Sequence, residues 1–152
     1  MLLLLLAQAA APCAAPVAGP PGWAAAAPVT AGVSDATAPA LPIGRGVTAT
    51  LVPGGSVTLA APLAKGFGPG DRGGLFAVTV ATAGRYRVAL GEGVWVDMVR
   101  GGRALASADH GHGPDCSPVR KFVEWDLTPG RTLLQVAGHA APTLRLEVLK
   151  AN

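Results

Sequence analysis

From Pro42 onward, apolar and polar residues alternate with a period of two, and turn residues interrupt the alternation at regular intervals. Tyr86, Val88 and Leu90 share one face of such a segment, while Arg85 and Arg87 share the other. Val123, Trp125 and Leu127 oppose Phe122, Glu124 and Asp126 in the same way, and Leu144, Leu146 and Val148 oppose Arg145 and Glu147. The pattern predicts strands at about 47–52, 56–60, 75–81, 85–90, 94–100, 103–107, 119–127, 132–137 and 143–149. Pro53-Gly54-Gly55, Gly91-Glu92-Gly93 and Pro129-Gly130 punctuate them. Gly101-Gly102 predicts a two-residue hairpin, because primed turns need positive φ. A strand that is dry on one face must bury that face against a second sheet. Eight to nine such strands, without helical periodicity anywhere, predict an all-β, antiparallel two-sheet sandwich. Thr82-Ala83-Gly84-Arg85 and Thr128-Pro129-Gly130-Arg131 form a faint repeat, which predicts two hairpins in equivalent places of one domain.

Before Pro42 the pattern is different. Leu2 to Leu6 lead into Ala7-Gln8-Ala9-Ala10, an apolar run ending at an Ala-x-Ala site. This reads as an export signal over 1–9, although no Lys or Arg precedes the leucines. Pro12, Pro16, Pro20 and Pro21 interrupt the apolar stretch, so no transmembrane segment is expected. Residues 10–42 are rich in Ala, Pro and Gly and read as an extended arm or linker, which leaves 43–152 as the sandwich domain. Trp23 is the one large aromatic in that arm; it is expected to pack on the domain, with ligand stacking as the alternative. Export implies the periplasm or the exterior.

Composition narrows the function classes. The 152 residues suit one core, and 21 Gly with 14 Pro fit short strands and tight turns. The net charge is only +3, and the twelve basic residues are spread from Arg45 to Lys150, with Arg120-Lys121 the sole adjacent pair. A nucleic-acid face needs concentrated basic charge with stacking aromatics, so nucleic acid is not an expected partner.

Chemistry-bearing residues gather in Asp109-His110-Gly111-His112-Gly113-Pro114-Asp115-Cys116-Ser117, which holds two of the three histidines and one of the two cysteines. Three readings apply. Two cysteines in an exported chain predict a Cys13–Cys116 disulfide, which would tether the arm beside this loop. Alternatively His110 and His112, with Asp115 or His139, bind zinc or copper; residues i and i+2 face the same way in an extended segment. In a third reading Ser107 or Ser117 works with a histidine, but no Gly-x-Ser-x-Gly elbow is present. Glu124 and Asp126 share a strand face and are expected to pair with Arg85, Arg87 or Arg131.

The order of a Gly-Arg-Tyr-Arg-Val strand (84–88), a Val-Asp-Met-Val strand (96–99), a polar loop, then Leu-Thr-Pro-Gly-Arg (127–131) and a closing strand pair resembles exported bacterial jelly-roll modules. The pre-peptidase C-terminal domains, and carbohydrate-binding modules similar to them, share that order over about 75–149. The whole chain is also similar to small exported bacterial proteins with a His-Gly-His-Gly-Pro-x-Cys loop, some labelled homogentisate 1,2-dioxygenase. The first resemblance implies a jelly-roll-like, non-catalytic envelope module that binds a carbohydrate or another envelope component through the 108–118 loop and Trp95. The label implies instead a metal-dependent dioxygenase with iron on His-x-His. Of the cupin-type iron motif only His110-x-His112 carries over, because Cys116 and Ser117 stand where its Glu would be.

Overall fold

The computed structural model of the protein describes residues 13–64 and 67–152; the expected signal at 1–9 lies outside the described residues. Eleven strands form two sheets. They are β1 (Ala27–Thr30), β2 (Arg45–Thr50), β3 (Val52–Pro53), β4 (Arg72–Val80), β5 (Gly84–Leu90) and β6 (Trp95–Arg100). After them come β7 (Arg103–Ala104), β8 (Asp109–Gly111), β9 (Lys121–Leu127), β10 (Gly130–His139) and β11 (Thr143–Lys150). One sheet has the order β1-β2-β11-β5-β9-β8 and the other β3-β4-β10-β6-β7. All pairings between these strands are antiparallel except β1 beside β2. The protein is therefore an all-β two-sheet sandwich, with eleven strands among the described residues rather than eight to nine.

Alternation sets the layers. Tyr86, Val88, Leu90, Val123, Trp125, Leu127, Leu144, Leu146 and Val148 are all buried between the sheets. Phe76, Val78, Met98, Leu134 and Val136 meet them from the other sheet. The Gly101-Gly102 hairpin forms as expected, with φ of +59° and +74°. Among the described residues no helix is long and apolar enough to cross a membrane.

The repeated Thr-x-Gly-Arg segments are corners between the sheets, not hairpins. The first carries the chain from β4 to β5, the second from β9 to β10. They lie side by side at one end: Gly84 is opposite Leu127, and Gly130 opposite Val80. The Tyr86 hydroxyl donates to the Thr82 carbonyl at 2.6 Å and pins the first corner, as tyrosines do at sandwich corners.

Segment 56–60 alternates but does not pair as a strand. Thr58 N–H donates to the Val33 carbonyl at 2.7 Å, and a side chain holds the end of the segment: Ala60 and Ala61 N–H donate to Gln135 Oε1 at 2.8 and 3.3 Å, and Gln135 Nε2 donates to the Ala61 carbonyl at 3.0 Å. Gln135 is fully buried and straps this segment over the outer face of the five-stranded sheet. Gln135→Ala leaves the two buried backbone groups of Ala61 and the half-buried Ala60 N–H without partners at once. It is expected to lower unfolding free energy by about 2 kcal/mol, measured by urea denaturation.

The arm belongs to the folded unit. β1 forms an edge of the six-stranded sheet, and Ala31 N–H continues onto the Thr50 carbonyl. Trp23 is buried against Ala89 and Val119 on the outer face of that sheet, so it serves as a packing anchor. Cys13 and Cys116 form the expected disulfide, with Cα atoms 5.6 Å apart.

Candidate functional site

The 109–119 loop and the arm are built against each other. Ser117 N–H donates to the Pro114 carbonyl, closing a turn in which Cys116 takes φ +63°. That value suits glycine at the third position of a type II turn, and here it aims the cysteine at the arm. Val17 N–H donates to the Cys116 carbonyl at 3.0 Å, adding a backbone link beside the disulfide. A Cβ on Gly113 would run into the Val119 carbonyl, so the loop can fold back only with glycine there.

The two loop histidines part company. His110 lies opposite Val123 in β8 and leans toward the open side of the sandwich, between the sheets. β8 then ends at Gly111, and His112 swings to the outer face, where Nδ1–H donates to the Arg120 carbonyl at 3.2 Å. The same-face expectation fails because the extended run is only three residues long. His139 ends β10 in the other sheet, opposite Arg72, and its Nε2–H donates to the Thr143 carbonyl at 2.9 Å. Asp115 is exposed at the turn, and Cys116 is committed to sulfur. Among the described residues no group of three or more His, Cys, Asp or Glu could hold a metal ion. The donor set implied by zinc, copper or the cupin-type iron pattern is therefore not assembled by these residues.

Two clefts result. The smaller, about 200 Å³, is lined by Trp95, Asp97, Ser107, His110, Lys121 and Trp125. Trp95 stands opposite in facing to the core residue Val96 and is 44% exposed. Its indole N–H donates to Asp97 Oδ2 at 2.9 Å. Lys121 Nζ lies 5.6 Å from the ring centre and donates to the Val94 carbonyl at 2.9 Å. Burial lowers the Lys121 pKa, and Asp97 opposes that shift. The register brings Trp95, Lys121 and His110 together from three strands of two sheets. Spacing along the chain carried no signal for Lys121 or Asp97 as its neighbours.

The larger cleft, about 570 Å³, lies on the outer face of the six-stranded sheet. Ala18, Gly19 and Pro20 of the arm form one wall, and His112, Pro114 and Ser117 form the other. Arg87, Ala89, Phe122 and Leu149 make the floor. Alternation had already turned Arg87 and Phe122 outward; what it could not reveal was that the arm covers them. The Arg87 guanidinium lies 4.2 Å from the Phe122 ring centre. Beside them Arg85 and Asp126 form a bidentate ion pair at 2.9 and 3.2 Å, and Arg87 reaches Glu124 at 3.4 Å, as the strand faces imply. Arg131 pairs instead with Asp35 of the arm.

Glu147 shares this outer face, next to Ala89 across the ladder, and is completely buried under the arm. Gly22 N–H donates to its Oε1 at 3.2 Å, while Oε2 has no partner. Burial raises the Glu147 pKa, and the Gly22 hydrogen bond only partly opposes it.

No family model, no curated protein and no solved structure matches the chain.

Proposed function

We propose that this protein is an exported, non-catalytic binding module of the cell envelope whose Trp95 cleft takes a saccharide. The observation that carries the reading is the half-exposed indole of Trp95 flanked by Asp97, Lys121 and His110 in one cleft. An indole face accepts the apolar C–H face of a sugar ring, and the flanking groups offer acceptors and donors to its hydroxyls. Few, well-placed polar groups around an aromatic surface are the usual make-up of a small-ligand site. Export is supported by the Cys13–Cys116 bond, since such bonds persist in oxidising compartments.

The test is a tryptophan-fluorescence titration with soluble peptidoglycan fragments and oligosaccharides of the outer envelope. At least one should bind, and Trp95→Ala should weaken it by about tenfold or more, the scale of an aromatic hot spot. Because Trp95 is exposed, the variant should unfold at the wild-type denaturant concentration. Failure of the whole panel to bind, or equal affinity in the variant, would dispose of this reading.

A further inference from the structure

The cleft beneath the arm is separate from the Trp95 cleft and has a different chemistry. Its walls are held by a covalent bond and a backbone hydrogen bond, so it is a built feature of the oxidised protein. Its volume of about 570 Å³ falls within the roughly 300–1,000 Å³ of small-molecule sites. Most of the lining is apolar: Pro20, Ala89, Pro114, Val119, Phe122 and Leu149.

Two polar groups converge on it with donors to spare. Arg87 is the first. Arg85 fills its fork with Asp126, but Arg87 spends only Nη2 on one long contact of 3.4 Å to Glu124. The remaining terminal N–H groups of a guanidinium match the oxygens of a carboxylate. The second is Ser117, whose oxygen accepts from Val119 N–H at 3.1 Å and whose hydroxyl hydrogen remains available. One guanidinium with one weak partner suits a single carboxylate at the head of an apolar body.

We infer that this cleft is a second ligand site, for a small free monocarboxylate with an apolar chain. The carboxylate meets Arg87 and Ser117, and the chain lies along Phe122, Leu149 and Val119 under Pro20.

Octanoate is the probe, with 1-octanol as the uncharged control of equal chain length, each titrated calorimetrically into the oxidised protein. The expected result is one octanoate site with Kd on the order of 100 µM, given the ligand's size, and octanol weaker by about tenfold. Amide shifts should move at Ala89 and Phe122 and stay still at the Trp95 indole. Arg87→Gln should erase the difference between the two probes. Since that variant leaves Glu124 buried without its cation, Arg87→Lys, which keeps the cation and loses the fork, provides an independent check and should also favour octanol over octanoate relative to wild type. Equal affinity of wild type for both probes, no octanoate binding, or shifts confined to Trp95 would each overturn the inference. Trp95→Ala should leave octanoate affinity unchanged, so this site and the saccharide reading can fail separately.

Discussion

Replacing both cysteines, Cys13→Ala with Cys116→Ala, is expected to lower the unfolding free energy by roughly 4–5 kcal/mol. The bond joins residues 103 apart in sequence. Constraining a loop of that length removes enough denatured-state entropy for roughly 4–5 kcal/mol. Cys116 sits at φ +63°, where a side chain costs about 1 kcal/mol, and alanine there keeps that strain. The strain has its own signature. Cys13→Ala with Cys116→Gly should be more stable than the double-alanine protein by about 1 kcal/mol, since glycine takes that φ freely. Guanidinium unfolding curves of the three proteins decide the matter. An unchanged midpoint in the double-alanine variant would mean that the arm lies outside the cooperative unit.

Glu147→Gln is expected to stabilise the protein above neutral pH by about 1–3 kcal/mol, the cost of an under-bonded buried polar group. The glutamine keeps an oxygen for Gly22 N–H and removes the charge. The sign follows from the direction of the shift. Burial raises the folded-state pKa above the unfolded value, so the folded protein binds the extra proton in the interval between them. Wild-type stability is therefore fullest below the ordinary carboxyl pKa and declines as pH rises through the folded-state value. The Gln variant should lack that decline. Stability measured by urea at a series of pH values should show two curves that meet in acid and diverge in base. Parallel curves would show that Glu147 ionises in the folded protein as readily as in the unfolded chain.

Much of the sandwich is legible in period-two alternation because both sheets bury one face. Tyr86, Val88 and Leu90, or Leu144, Leu146 and Val148, leave no other choice of inward side. The strands that escape are those where alternation does not govern. β1 is a four-residue edge strand of Ala27-Pro28-Val29-Thr30, mostly small residues with a proline that an edge can tolerate. β8 is three residues inside a glycine-rich loop. Segment 56–60 shows the opposite error: it has the pattern, but the Thr58–Val33 backbone bond and the Gln135 side chain at Ala60 and Ala61 hold it in place of a strand ladder. The disulfide was readable from cysteine count and compartment. The clefts were not. His110 and His112 look like neighbours in the sequence, and only the end of β8 at Gly111 sends them to different faces. Arg87 and Lys121 gain their roles from what the register and the arm set over them.

The disulfide also imposes a schedule on the making of the protein. Synthesis runs from the N-terminus, so Cys13 appears early and waits for a partner that comes 103 residues later. By then β1 to β8 have been made, and β9 to β11 have yet to appear. The chain contains no third cysteine with which Cys13 could close a wrong ring on itself. β11, which carries Glu147, is made after Cys116, and the arm cannot dock over that face until it is in place. Oxidation of Cys13 onto Cys116 therefore records that synthesis has passed β8.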